Sequence, residues 1–64
     1  MSTFKERLEL EYVELKVKGE KLNDFIYSEN FSKIDPLQQS LLKVQIKAME
    51  TYLECLIERI DNIK

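Results

Sequence analysis

Three polar side chains in the second half of the chain recur every seven residues: Gln45, Tyr52 and Arg59. At about 100° per residue, this spacing places them on one edge of a helix. A tyrosine ring stacks on a nucleobase, a guanidinium forks onto phosphate, and an amide pairs with a base or a ribose. Arg7 borders the apolar positions of the first half in a similar way. These four residues are candidate ligand contacts, although the same residue types also serve as flanking positions that link helices by hydrogen bonds and ion pairs.

A second candidate group lies in the middle of the chain, where Tyr27, Asn30, Phe31 and Lys33 bring two aromatics, an amide and a cation together. The group precedes the expected start of a helix, where free backbone N–H groups favour anions. Tyr27 and Lys33 are therefore further candidate ligand contacts. Asp35 weakens this interpretation because its carboxylate is expected to occupy the helix cap. Phe31 can alternatively close the end of the helix pair as an apolar plug.

The residue inventory argues against catalysis. The chain has no His and a single Cys, Cys55, so neither a cluster of soft metal ligands nor an internal disulfide can form. There is no nucleophile motif and no Gly-rich phosphate loop. We expect no enzyme activity, no catalytic residue, no metal and no cofactor. Cys55 lies among apolar residues and is interpreted as a small core filler in a reducing cytosol.

The charge pattern limits the partners. Ten Lys and Arg against twelve Asp and Glu give a net charge of -2, and the two signs are interspersed. Such a surface has no electrostatic footprint for duplex DNA or long RNA, although a local pocket for a small anion is compatible with it. The chain has no apolar run of signal-peptide or membrane-span length, so we expect a cytoplasmic protein without a membrane partner.

One Gly and one Pro among 64 residues favour helix with few interruptions. Thr3 followed by Glu6 has the spacing of a capping box, and Asp35-Pro36 combines an N-cap residue with a proline suited to the first helical position. The sequence predicts a single all-α domain over 1–64, with a helix at about 3–27, a turn at about 28–35 and a helix at about 36–62.

The segment around Leu8, Leu10 and Tyr12 alternates apolar residues with glutamates, as a half-buried strand does. A helical spacing of four and three nevertheless favours a helix, and it defines the first apolar seam: Leu8, Tyr12, Leu15, Gly19, Leu22 and Ile26. A matching apolar seam in the second segment comprises Leu42, Ile46, Met49, Leu53, Leu56, Ile60 and Ile63. Two such seams joined by a short turn predict an antiparallel two-helix hairpin. Gly19 falls on the first seam and suggests a close backbone approach or a bend.

Apolar residues also occur away from both seams. Leu10, Val13 and Val17, here called the first band, lie on the side of the first helix opposite its seam. The second band lies to one side of the second seam and comprises Leu37, Leu41, Val44, Ala48, Tyr52 and Cys55. A lone hairpin leaves both bands in water, so we predict a homo-oligomer, at minimum a dimer forming a four-helix bundle. The predicted interface comprises the first band together with Leu41, Val44 and Ala48.

The chain resembles a family of very short proteins encoded by tailed bacteriophages, including crAss-like phages. The resemblance covers nearly the whole chain and rests on a spaced pattern: Phe4, Arg7, Leu8, Glu11, Leu15, Lys21, Leu22, Phe25, Ile26, Phe31, Leu41, Leu42, Gln45, Met49, Tyr52, Leu56, Arg59 and Ile60. In scale and architecture alone, the chain is also similar to phage counter-defence sponges. These are small helical hairpins that oligomerise and sequester nucleotide signals of bacterial immunity.

The resemblance implies a phage accessory protein in the cytoplasm of an infected bacterium, whose homo-oligomer traps a cyclic nucleotide or an ADP-ribose-type signal. In this interpretation Tyr52 stacks on the base, Arg59 and Arg7 contact phosphate, and Gln45 contacts the base or ribose. The alternative is a homo-oligomeric interaction module that docks on a host or phage protein through the first band. A third interpretation is a purely structural component of the virion.

Overall fold

The computed structural model describes residues 3–63 and shows two long α-helices. The elements are α1 at Phe4–Ile26, a short 3-10 helix at Glu29–Lys33, and α2 at Pro36–Asp61. The helices pack antiparallel, and no strand occurs between residues 3 and 63. The prediction of an all-α fold with two long helices is therefore confirmed. Residues 1, 2 and 64 of the predicted domain lie outside the described residues.

Both helices begin at the capping residues that the sequence indicates. The Thr3 hydroxyl oxygen accepts from the backbone N–H of Glu6 at 3.1 Å, and the hydroxyl also donates to the Glu6 carboxylate at 3.3 Å. In a usual capping box the glutamate carboxylate bonds back to the backbone N–H of the cap residue. Here the Glu6 carboxylate bonds to the Thr3 hydroxyl instead. At the second start, the Asp35 carboxylate accepts from the N–H of Leu37 at 3.1 Å, with Pro36 at the first helical position.

Phe31 closes the end of the hairpin next to the connection. Its side chain is buried and meets the Phe25 ring edge-to-face, with the centroids 6.1 Å apart and the planes at 89°. The ammonium group of Lys43 lies 5.7 Å from the Phe31 centroid, within cation–π range. The 3-10 helix that carries Phe31 gives the predicted turn a defined conformation. Phe31 is thus a structural plug, as one of the two sequence interpretations held.

The core between the helices is thin. Among the described residues, the buried ones are Leu8, Gly19, Phe31 and Leu56, and Leu56 is fully enclosed. The other seam positions are half-buried. The interpretation of Cys55 as a core filler is wrong, because its side chain is exposed. Cys55 belongs to the second band, which is rotated away from the seam that faces α1.

The surface of the chain is large for its mass. A compact monomer of 7.7 kDa exposes about 4,300 Å² by the usual scaling of surface with size. This chain exposes 5247 Å², roughly 900 Å² more than that scaling gives. The excess follows from a flat hairpin with extents of 47 × 19 × 14 Å. It is similar in size to the ~800 Å² that each partner buries in a standard protein interface.

Both apolar bands are part of this exposed surface. In the first band, Leu10, Val13 and Val17 are 59%, 55% and 45% exposed. In the second band, Leu41 and Val44 are 50% and 65% exposed, and the remaining members, Leu37, Ala48, Tyr52 and Cys55, are also exposed. The predicted exposure of both bands on the single hairpin is confirmed. Self-association stays a prediction.

Gly19 does not mark a close approach between the two backbones. A methyl group added at its Cα would meet the end of the Met49 side chain at 3.9 Å, which is an ordinary van der Waals distance. Its φ is not positive, and α1 continues unbroken through it. The buried position therefore has room for a small side chain, and glycine there is replaceable.

We therefore expect Gly19→Ala to stabilise the protein. Alanine reduces the backbone freedom of the unfolded chain and fills space beside Met49, which is worth about 0.5–1 kcal/mol. Thermal unfolding followed by circular dichroism should show a midpoint roughly 2–8 °C higher than that of the wild type. Gly19→Leu, which must displace Met49, should lower the midpoint. A lower midpoint for Gly19→Ala would contradict this account of the seam.

Candidate ligand-binding edge

One side of the hairpin carries a set of polar and aromatic groups contributed by both helices. The Tyr52 hydroxyl on α2 donates a hydrogen bond to the Glu11 carboxylate on α1. Tyr52 remains 42% exposed, so part of its ring is available to solvent. The set lies beside the two seams and comprises Phe4, Arg7, Glu11, Gln45, Tyr52 and Arg59. It is called the tyrosine edge below.

Arg59 extends the tyrosine edge toward the start of α1. Its guanidinium carbon lies 5.9 Å from the centroid of the Phe4 ring, and Phe4 is 55% exposed. A cation above a ring face is attracted by the negative face of the aromatic quadrupole. The contact gives the guanidinium a preferred position while leaving it in solvent. Arg59 therefore presents a localised positive charge about two turns from Tyr52.

The tyrosine edge has a distinct electrostatic character around Tyr52. The hydrogen bond to the Glu11 carboxylate is the largest cause that raises the pKa of Tyr52 above its ordinary value of 10.0, and desolvation and the negative charge of Glu11 act in the same direction. The positive charge of Arg59 opposes this rise. The phenol is therefore held protonated beside a carboxylate, with a cation on its other side.

The candidates from the heptad spacing lie on the same edge. Gln45, Tyr52 and Arg59 are all exposed on the side of α2 that adjoins α1, and Arg7 is exposed on the neighbouring side of α1. The direct contacts run from Tyr52 to Glu11 and from Arg59 to Phe4. The edge offers stacking surface, two guanidinium groups, an amide and one acceptor carboxylate.

The turn candidates, Tyr27 and Lys33, do not belong to this edge. Tyr27 is 83% exposed and lines a groove of about 390 Å³ at the hairpin end, together with Asn23, Ile26, Phe31, Lys43, Ile46, Lys47 and Glu50. Lys33 is exposed and does not line that groove. The Asp35 carboxylate occupies the cap of α2, so the end of this helix offers little to an anion.

A further groove of about 380 Å³ lies beside Gly19, on the side of the hairpin opposite the tyrosine edge. Its lining comprises Lys16, Gly19, Glu20, Asn23, Asp24, Ile46, Met49, Glu50 and Leu53. Three carboxylates against one ammonium make this groove unfavourable for an anionic ligand. Sequence reasoning missed it, although a glycine on a helix seam leaves a gap that a larger side chain would fill.

Sequence reasoning also left two members of the tyrosine edge out of the candidate site. In the sequence, Glu11 and Phe4 stand out only as members of the family pattern. The signal that could have found them is the antiparallel register. That register places Glu11 opposite Tyr52 and Phe4 opposite Arg59.

The described residues also provide two negative findings. Between residues 3 and 63, no three His, Cys, Asp or Glu side chains are grouped so that they could hold a metal ion. Neither α1 nor α2 has a stretch apolar enough and long enough for a membrane span.

The fold and the tyrosine edge define a small helical-hairpin protein that presents aromatic, cationic and acceptor groups along one exposed side. A family model described as Sequestin matches residues 2–62, so the chain belongs to the Sequestin family. The name of the family indicates a sequestering role. Together with the phage relative described next, this match confirms the predicted membership of a family of short phage proteins.

A relative of full length comes from Enterobacteria phage T4. It is described as "Uncharacterized 7.5 kDa protein in denB-rIIB intergenic region" and is 34% identical over 64 residues, which cover 100% of both chains. The two proteins therefore share one length. No solved structure matches the chain.

The hydrogen bond between Tyr52 and Glu11 generates a prediction. Glu11→Gln should lower the pKa of Tyr52 toward 10.0, because the charged acceptor that stabilises the protonated phenol is gone. The titration can be followed by the ultraviolet absorbance of tyrosinate, with Tyr52→Phe subtracted to isolate Tyr52. Glu14→Gln, an exposed change on the same helix, is the matched control and should leave the curve unchanged.

The same interaction predicts how stability depends on pH. The pKa of Tyr52 is higher in the folded state than in the unfolded state, so the stabilisation is present below pH 10 and is lost as the pH rises through the folded-state pKa. Glu11→Gln should remove this alkaline loss of stability. An unchanged Tyr52 titration in Glu11→Gln would show that the hydrogen bond does not form in solution.

Proposed function

We propose that this chain is a phage counter-defence protein, a non-enzymatic homo-oligomeric binder that sequesters a small nucleotide immune signal at the tyrosine edge. The ligand class is a cyclic nucleotide or an ADP-ribose derivative, bound in the cytoplasm of the infected bacterium. Tyr52 stacks on the base, Arg59 and Arg7 bind phosphate, and Gln45 contacts the base or ribose. The single observation that carries the proposal is the Tyr52–Glu11 pair beside the Arg59 guanidinium on one exposed edge.

The chemistry of the edge supports a nucleotide over a simple phosphate. A guanidinium recognises phosphate oxygens by paired hydrogen bonds, and a half-exposed tyrosine supplies a stacking surface worth about 1–3 kcal/mol per base. The Glu11 carboxylate repels a bare phosphate and accepts hydrogen bonds from ribose hydroxyls or base amino groups. Such a combination fits a ligand that carries an anionic group and hydrogen-bond donors in the same molecule.

The position of the edge supports a site completed by a second copy. Both grooves of the single hairpin are open to solvent and lie on the other side or at the turn. The tyrosine edge directly adjoins the exposed second band, to which Tyr52 itself belongs. Covering that band with another chain would enclose the edge and exclude water from it, which strengthens each polar contact.

Family membership supports capture without turnover. The family name, Sequestin, describes sequestration, and the relative in phage T4 has the same length. The tyrosine edge contains no His, and the hydrogen bond to Glu11 raises the pKa of the Tyr52 phenol, which makes the phenol a poor nucleophile. Tight binding of intact ligand is the activity that such a site can provide.

The alternative function is a protein-interaction module that docks on a host or phage protein. It is favoured by the first band alone, whose three apolar side chains are about half exposed on the outer side of α1. A pull-down from host lysate separates the two functions, because docking predicts a stoichiometric protein partner that is lost in Val13→Glu. Sequestration predicts none.

The test of the main proposal is calorimetric titration of the protein with a panel of cyclic dinucleotides and ADP-ribose derivatives. We expect saturable binding of at least one ligand at micromolar concentration. After heat denaturation, chromatography should return that ligand unchanged. Absence of binding by every ligand, or recovery of a cleaved product, would remove the proposal.

Variants of the same protein locate the site. Arg59→Ala should weaken binding by about ten- to a hundredfold, since hydrogen bonds to a charged group are worth about 1.5–3 kcal/mol. Lys47→Ala removes a cation from the groove at the hairpin end and should bind as the wild type does. The reverse result, loss with Lys47→Ala and retention with Arg59→Ala, would place the ligand in that groove instead.

A further inference from the structure

The central part of the second band has a palindromic spacing. Its five members, Leu41, Val44, Ala48, Tyr52 and Cys55, are separated by three, four, four and three residues, with Ala48 at the centre. All five are exposed on α2; Leu41, Val44, Ala48 and Cys55 lie off the seam with α1, and Tyr52 lies at the border between the second band and the tyrosine edge. A helical face with this symmetry superimposes on itself when it is turned end over end. It is therefore complementary in position to an antiparallel copy of itself.

We propose that α2 packs antiparallel against α2 of a second copy, around a two-fold axis that passes beside Ala48. The axis places Ala48 against Ala48 of the partner subunit, Leu41 against Cys55 of the partner subunit, and Val44 against Tyr52 of the partner subunit. An interface of this kind is isologous, so each pair occurs twice. The two small alanine side chains at the centre allow the helices to approach closely.

Side-chain volume distinguishes this arrangement from a parallel one. In the antiparallel register, a large residue meets a smaller one at each level, leucine against cysteine and tyrosine against valine. This gives the interface an even thickness. A parallel register would set Tyr52 against its own copy beside facing alanines and cysteines, which leaves gaps next to a steric clash. It would also bring the two Arg59 guanidinium groups together, whereas the antiparallel register separates them.

The hairpin has surface available for such an interface. It exposes roughly 900 Å² more than a compact monomer of its mass. Leu41, Val44 and Tyr52 are each between 42% and 65% exposed on the free hairpin. In the antiparallel register Leu41 packs against Cys55 of the partner subunit and Val44 against Tyr52 of the partner subunit, and this burial provides the apolar driving force.

The two-fold axis also determines where the tyrosine edges lie. Seen down α2, the second band is rotated by about 120° from the seam that faces α1, and the tyrosine edge occupies the sector between them. Rotation about the axis keeps both tyrosine edges on the same side of the paired α2 helices. For axes about 9 Å apart in contact, the two α1 helices lie about 18 Å apart and form the walls of a trough.

The trough rests on the homo-oligomer of the proposed function and gives that function a defined site. It does not depend on which ligand binds. Gln45 and Tyr52 of both copies lie on the floor, and Arg7 and Glu11 of both copies lie on the walls. Each copy supplies half of the lining, so a single hairpin holds an incomplete site. The first band lies outside the trough and takes no part in this interface.

Disulfide cross-linking of purified protein at low concentration tests the register. Facing Cα atoms of closely packed helices are within the ~4.4–6.8 Å that a disulfide spans. In the background Cys55→Ala, Ala48→Cys should convert most of the chain into a covalent dimer on mild oxidation. With the native cysteine present, Leu41→Cys should form a dimer through Cys55 of the partner subunit. The two variants test the axis at its centre and at its end.

Two controls make the result specific. Lys47→Cys in the Cys55→Ala background lies one residue from the axis but about 100° around α2 from Ala48, outside the second band, and should remain monomeric in denaturing electrophoresis. The unaltered protein should also remain monomeric, because the two Cys55 residues are roughly 20 Å apart in the antiparallel register.

Three outcomes would overturn the inference. These are efficient cross-linking of the unaltered protein through Cys55, cross-linking of Lys47→Cys equal to that of Ala48→Cys, or failure of both Ala48→Cys and Leu41→Cys. Ligand titration of the cross-linked Ala48→Cys dimer is a separate measurement. A covalent dimer that binds none of the nucleotides leaves the register intact and removes the proposed function.

Discussion

The structure depends on one constraint: two helices cannot cover the apolar side chains that this chain carries. Each helix buries one seam against the other, and this leaves only Leu8, Gly19, Phe31 and Leu56 buried among the described residues. A core of this size is marginal for a free monomer, because the apolar area buried barely offsets the conformational entropy lost on folding. The same chain leaves two further apolar bands in solvent. Stability and function are thus connected, because the surface that makes the monomer marginal is the surface that a second copy can use.

The two sides of the hairpin differ in the chemical groups that they expose. One side carries the tyrosine edge next to the second band, so its polar groups border an apolar surface. The opposite side carries open grooves with mixed charges, including the exposed ion pair of Lys47 and Glu50 at 3.7 Å. An exposed pair of this kind contributes little to stability and mainly keeps the side hydrated. Association through the second band would bring copies of the tyrosine edge together while the charged side remains in water.

Much of the fold could be predicted from the sequence, because helix signals are local. The caps at Thr3 and Asp35 and the spacing of the seam were sufficient for the two helices and their antiparallel packing. The 3-10 helix around Phe31 was not predicted, since it depends on how the hairpin end closes. The interpretation of Cys55 as a core filler was wrong because it rested on the apolar neighbours in the sequence, whereas the angular position of Cys55 puts it in the exposed second band. In the candidate site, heptad spacing placed Gln45, Tyr52 and Arg59 on one edge. The hydrogen bond to Glu11 requires the register between helices, which a pattern within one helix does not contain.

The most direct measurement of the central claim is the mass of the native protein by sedimentation equilibrium at low micromolar concentration. The account predicts a mass of at least two 7.7 kDa chains, together with an unfolding midpoint that rises with protein concentration. A mass of one chain, with cooperative unfolding whose midpoint is independent of concentration, would contradict it. That result would mean that the thin seam alone holds the fold and that the exposed bands have another purpose.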